Sequence, residues 1–151
     1  MPDAPITLRH VYEARQAIQG IAVHTPLIPS AALEERTGAR CYLKLENVQR
    51  SGAFKIRGAA NKLSQLRQEE RARGVITVSS GNHGRAVALV ARELGFRAVV
   101  CMSTRVPPNK VDSIRQLGAE VILHGDSYDE AEQRAVGLQD EEGLTMIPPF
   151  D

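Results

Sequence analysis

The spacing of apolar and polar residues changes period along this chain, and each change marks an element. Between Thr7 and Gly20, Leu8, Val11, Tyr12 and Ile18 recur near helical spacing, with Thr7 placed to cap and Gly20 to stop the helix. His24-Thr25-Pro26-Leu27-Ile28-Pro29 follows, and its two prolines force an extended path. Ser30 to Thr37 predicts a short helix with Gly38 after it, and Cys41 to Leu45 alternates as a strand does. One long helix is expected from about Ala53 to Arg73, closed by Gly74. Beyond Gly74 the pattern becomes regular. Strands are expected at Val75–Val78, Ala98–Met102, Glu120–Leu123 and Leu144–Ile147, with helices at Asn82–Leu94, Lys110–Leu117 and Tyr128 to about Glu142. Strand and helix alternating at this spacing imply right-handed crossovers and a parallel sheet, hence an α/β fold with flanking helices.

Composition narrows the function classes. With 151 residues, 42% hydrophobic and 25% charged, the chain has the balance of a globular protein. A net charge of +1 offers no field for nucleic acid or anionic lipid, and the lack of Trp leaves few stacking platforms. No apolar run is long enough to span a membrane, and Met1-Pro2-Asp3-Ala4-Pro5 does not read as a secretory signal. Cys41 and Cys101 lie far apart in strand-like surroundings, as reduced thiols of a cytoplasmic protein do. His10, His24, His83 and His124 show no ligand spacing, so no metal site is expected.

Two loops stand where ligands gather in parallel α/β proteins, at helix N-termini beyond strand ends. The first is Ser51-Gly52-Ala53-Phe54-Lys55. Ser51 can cap the helix, and Lys55 falls in or near its first turn. There the macrodipole, and Arg57 if it is close, favour a neutral, nucleophilic amine. The alternative for Lys55 is a solvated surface lysine, and for Phe54 a core aromatic. The second loop is Ser79-Ser80-Gly81-Asn82-His83-Gly84, whose hydroxyls, amide, imidazole and backbone N–H groups can hold a carboxylate or phosphate. Its alternative is an ordinary helix start capped by Ser80 or Asn82. The spacing is neither a Walker loop nor a dinucleotide fingerprint.

Lys44-Leu45-Glu46-Asn47, then Ser51 to Ala59, then Ser79 to Gly84, resemble in this order the fold-type II pyridoxal-phosphate enzymes. The likeness is to the threonine/serine dehydratases and serine racemases. His24-Thr25-Pro26-Leu27, Pro107 to Val111, Leu117 to Val121 and Pro149-Phe150-Asp151 fit as well. Arg85 and Ser127 to Ala131 are also similar to the hydroxyectoine-utilisation dehydratases. The resemblance implies a tryptophan-synthase-β-like fold, of which this chain is the N-terminal portion. Residues 1–73 would begin a large domain, 74–147 form a small α/β domain, and 148–151 begin the return to the large one.

The resemblance also implies pyridoxal 5′-phosphate as cofactor and a small amino-acid substrate. Lys55 corresponds to the lysine that forms the Schiff base and moves the Cα proton, and Phe54 to the aromatic beside it. Asn82 corresponds to the amide that bonds the cofactor's ring oxygen. Ser79, Ser80, Gly81, Asn82 and His83 correspond to the loop around the substrate carboxylate, with Ser80 the opposite-face acid/base of racemases. The implied reaction removes water from a β-hydroxy amino acid and yields a 2-oxo acid and ammonia, in a cytoplasmic homodimer. Two departures bear on this. None of the 12 glycines adjoins another, so the glycine-rich phosphate loop of the family is absent. Arg85 stands where Gln is common, a cation suited to a substrate with an extra anionic group. The missing loop also leaves a non-catalytic, truncated module as an alternative.

Overall fold

The computed structural model describes residues 5–149. Phe150 and Asp151, part of the matched motif, and Met1 to Ala4 lie outside the described residues. The elements run α1 (Leu8–Ala17), β1 (Leu27–Pro29), α2 (Ala31–Thr37), β2 (Tyr42–Lys44), a 3-10 turn (Glu46–Val48), α3 (Lys55–Ser64), α4 (Gln68–Arg73), β3 (Val75–Val78), α5 (Asn82–Leu94), β4 (Ala98–Met102), α6 (Pro108–Arg115), β5 (Glu120–Leu123), α7 (Tyr128–Glu142) and β6 (Thr145–Met146). None of the described helices is long and apolar enough to cross a membrane.

β1 and β2 pair antiparallel as a separate ribbon, while the other four strands form one parallel sheet in the order β5-β4-β3-β6. β3 and β4 are buried at every position, as expected of central strands covered on both faces. Their side chains alternate between two cores. Val75, Val100 and Met102 point to the face covered by α3, α5 and α6. Ile76, Val78, Val99 and Cys101 point to the face covered by Ala131, Ala135 and Leu138 of α7. The chain steps from β3 to β4 to β5, then returns past both to place β6 on the far side of β3. With right-handed crossovers, that reversal puts α7 on the opposite face from α5 and α6. The reversal also makes the carboxyl ends of β3 and β6 a topological switch point, the usual ligand crevice of such sheets.

Several boundaries differ from the sequence expectation. The single helix expected over 53–73 is two. Gln65 ends α3, Leu66 turns into the core beside Leu63, and Arg67 restarts the chain with an extended backbone. The break is held by Glu70, whose carboxylate accepts the Arg67 N–H at 2.8 Å, and by Arg71, which donates to the Ser64 carbonyl at 2.6 Å. α6 begins two residues early because Pro108, whose missing N–H costs nothing in the first turn, opens it. β2 and β6 are shorter than expected, at three and two residues.

α5 starts so close to the strand before it that a Cβ on Gly84 would run into the Ser79 carbonyl oxygen and stand 3.2 Å from Ile114 Cδ1. The backbone atom cannot yield as a flexible side chain can. Gly84→Ala is therefore expected to cost about 1–3 kcal/mol of stability, read as a lower urea midpoint at unchanged slope. An unchanged midpoint would contradict the close approach.

Candidate functional site

Lys55 is the first residue of α3, and α3 lies along α5 through Ala59, Ala60 and Leu63. This contact carries the Lys55 amine to the switch point. There Lys55, Gly58, Ala59, Lys62, His83, Ile147, Pro148 and Pro149 line a cavity of about 120 Å³. Lys55 Nζ donates to the Pro149 carbonyl at 2.7 Å and stands 5.9 Å from the centre of the Phe54 ring. Phe54 is 60% exposed, which excludes the core-aromatic reading.

His83 enters the same cavity from the first turn of α5 and is buried. Its Nε2 lies 3.1 Å from the Ile147 carbonyl. A carbonyl only accepts, so Nε2 carries the proton. Burial, with a smaller contribution from the Lys55 charge, lowers the His83 pKa, against the opposing Ile147 bond. The neutral ring therefore keeps its Nδ1 lone pair. Thr77, fully buried on β3, donates its hydroxyl to the same carbonyl at 2.7 Å.

Neither α5 nor α3 has the side-chain cap that its loop could supply. Gly81 holds the N-cap position of α5, and neither Ser80 nor Asn82 caps it. The Ser79 hydroxyl instead accepts the Gly81 N–H at 3.3 Å, which leaves the first-turn N–H groups beyond it uncapped. An uncapped helix start presents partial positive charge and free donors to an anion. Ser51 does not cap α3 either. It is buried, and its hydroxyl donates to the Ala53 carbonyl at 3.1 Å. Arg57 does not stand free beside Lys55, because its guanidinium forks to Glu46 at 2.8 and 2.9 Å.

Of the residues picked from the sequence, the cavity brings together Lys55 and His83. Phe54 flanks them, and Gly81 and Asn82 are exposed at the start of α5. Ser79 and Ser80 line a separate recess of about 80 Å³ with Cys101, Met102 and Tyr128. Burial pushes the Cys101 thiol up to about 11, so it is unreactive there. A wider open groove runs between α1 and residues 18–24 with Arg57 on its wall, and Lys55, Phe54 and residues 79–83 lie outside its lining. Sequence reasoning missed Thr77 and the Ile147–Pro149 backbone. It also missed the role of Glu46, which gathers Arg57, Thr25 and Gln49.

The cavity's chemistry fits one end of a pyridoxal phosphate. A primary amine shares the cavity with the side-chain-poor Gly58 and Ala59 and with a neutral imidazole, beside a helix start that no side chain caps. Among the described residues, no second glycine-rich N–H cradle accompanies it.

Comparison with known proteins agrees with this reading. The family of pyridoxal-phosphate dependent enzymes matches residues 18–151. Over 146 residues the chain is 50% identical to a Sinorhizobium fredii protein carrying a threonine dehydratase name, covering 97% of this chain and 44% of that one. It is 43% identical over 146 residues to the L-threonine ammonia-lyase of Thermotoga maritima, covering 97% of this chain and 36% of that one. The processed threonine deaminase isoform 2 of Solanum lycopersicum superposes with a TM-score of 0.90 at 37% identity, covering 100% of this chain and 43% of that one. Serine racemase from Dictyostelium discoideum superposes with a TM-score of 0.91 at 32% identity, covering 98% and 48%. The chain thus spans less than half the length of these relatives.

Glu46 gives the site a pH signature. The Arg57 fork, opposed by burial and helped by the Thr25 hydroxyl, lowers its pKa from 4.5 to about 2. A carboxylate held below its unfolded value stabilises the fold fully above about pH 4.5, and that contribution is lost as pH falls toward 2. Thermal unfolding between pH 5 and 2 should therefore fall more steeply for the native chain than for Glu46→Gln. Parallel curves would contradict the assignment.

Proposed function

This chain belongs to the pyridoxal-phosphate dependent enzymes, and from that premise we propose that the whole protein is an ammonia-lyase for a β-hydroxy amino acid, threonine or serine first. The observation that carries the reading is the Lys55 amine in the switch-point cavity beside His83 and the uncapped start of α5. The names of the threonine dehydratase and L-threonine ammonia-lyase relatives support the substrate class.

The cofactor, when bound, supplies an electron sink for negative charge at the substrate Cα. The chain's own residues supply the rest. Lys55 Nζ would hold the cofactor covalently and would take the Cα proton. Asn82 would orient the cofactor ring through its amide. Ser79, Ser80, Gly81, Asn82 and His83 surround the substrate carboxylate, with the α5 N–H groups as its donors. Phe54 flanks the amine. Loss of the Cα proton and of the β-hydroxyl releases water, and hydrolysis of the remaining enamine gives a 2-oxo acid and ammonia. Ser80 would be the acid/base for the face opposite Lys55 if racemisation occurs as a side reaction.

The proposal extends to architecture. Residues 1–73, with their own β1-β2 ribbon, begin the larger lobe, and residues 74–147 form the smaller one. The homodimer and the rest of the large lobe supply cover for apolar side chains left exposed here, among them Ile6, Leu8, Tyr12 and Leu27. The two free cysteines suit a reducing cytoplasm.

In the full-length protein, Lys55→Ala should abolish both borohydride-fixed pyridoxal phosphate and 2-oxo acid formation from threonine. Turnover at the native rate in that variant would overturn the mechanism.

A further inference from the structure

Five buried polar residues occur among the described ones: Thr25, Gln49, Ser51, Thr77 and His83. All five bear on the strips of chain around Lys55. Thr77 and His83 hold the Ile147 carbonyl, and Ser51 folds the loop before α3. Thr25 and Gln49 converge on one carboxylate. Glu46 Oε1 accepts from Thr25 Oγ1 at 2.6 Å and from Arg57 Nη2 at 2.8 Å. Glu46 Oε2 accepts from Arg57 Nε at 2.9 Å and from Gln49 Nε2 at 3.3 Å. Gln49 also grips the Val23 N–H and carbonyl at 2.9 and 2.8 Å, and Lys44 Nζ donates to the Thr25 carbonyl at 2.6 Å. Three stretches distant in sequence, residues 23–25, 44–49 and the start of α3, are thereby joined at Glu46.

The start of α3 needs such an anchor. Its N-cap residue, Phe54, is exposed and provides no side-chain cap. Arg57 lies two residues beyond Lys55 in the same first turn, so whatever fixes Arg57 fixes the Cα from which the Lys55 side chain springs. A bidentate guanidinium–carboxylate fork fixes orientation as well as distance, which a single hydrogen bond does not.

We propose that Glu46, acting through the Arg57 fork, is a positioning residue for the Lys55 amine. This rests on the reading of Lys55 as the cofactor-bearing lysine. Lys55 is then restrained at both ends, by Glu46 at the root of its helix and by the Pro149 carbonyl at Nζ. An amine that leaves the cofactor and returns as a base must find the same place each turnover, and small misplacements cost rate steeply.

The test uses the full-length protein loaded with pyridoxal phosphate. Glu46→Gln keeps the size and removes the charge of the acceptor, and Arg57→Lys keeps the cation and removes its fork. Glu120→Gln is the control. It removes one carboxylate partner of Arg97 at the far sheet edge, where Arg97 is also held by Glu142. For each, turnover is measured per Lys55 labelled by borohydride, together with KM and melting temperature. The expected result is a fall of about tenfold or more in turnover per labelled site for Glu46→Gln and Arg57→Lys. KM should stay within threefold, the double variant should be no worse than the poorer single one, and the control should match the native protein. Native turnover per labelled site in either Glu46→Gln or Arg57→Lys would overturn the proposal, even if the melting temperature falls. If Glu46→Gln does not fold, Arg57→Lys decides alone. Failure of the native protein to label at Lys55 would instead overturn the parent reading.

Discussion

The carbonyl oxygen of Ile147 is the point on which the rest of the site depends. It accepts from Thr77 on β3 and from His83 on α5, while the Ile147 N–H donates to the Ile76 carbonyl at 2.8 Å. β6 is two residues long and pairs with β3 only at Thr145 and Met146, too little ladder to fix the chain that follows. The two buried donors complete the fixing. A buried carbonyl left without them would forfeit its hydration with no compensation. Once Ile147 is held, Pro148 and Pro149 have little backbone freedom, and the Pro149 carbonyl arrives at Lys55 Nζ. The Ile147 carbonyl thus joins the sheet to α5, and two residues on the Pro149 carbonyl ties in α3, the helix that carries the amine.

The sheet that makes this possible was legible in the sequence for a simple reason. Its central strands are covered on both faces, so Val75–Val78 and Ala98–Met102 appear as near-continuous apolar runs. Gly95 and Gly143 adopt left-handed backbone after their helices, which makes the helix ends readable too. Lys55 and His83 were readable because motif order carries information that no single loop has. The break between α3 and α4 was not, since Leu63 and Leu66 keep helical spacing across it. The turn is made by the Glu70 and Arg71 side chains reaching back to the backbone. The alternative of an ordinary capped start for α5 falls for a related reason. Ser80 and Asn82 have capping chemistry, yet the Ser79 hydroxyl takes the Gly81 N–H. Glu46, Thr25 and Arg57 each fall in a matched motif, but nothing showed that they meet, because the cluster's members lie 3 to 21 residues from Glu46 and share no period.

The arrangement separates two tasks. Apolar packing of α3 on α5 sets where the amine is, and buried polar bonds set which way it points. The first is broad and tolerant of exchange between similar side chains. The second is directional and concentrated in a few groups, so single substitutions there can alter chemistry more than stability. That division explains why a chain spanning less than half of its relatives' length already holds a defined cavity around the amine.

On the proposed function, the switch-point cavity selects Lys55 for the cofactor. The chain has four lysines, Lys44, Lys55, Lys62 and Lys110, and Lys62 lines the same cavity as Lys55. Peptide mapping by mass spectrometry after borohydride reduction of the pyridoxal-phosphate-loaded, full-length protein distinguishes them directly. One label per chain is expected, on the peptide that contains Lys55. A label on Lys62, or one spread over several lysines, would contradict it.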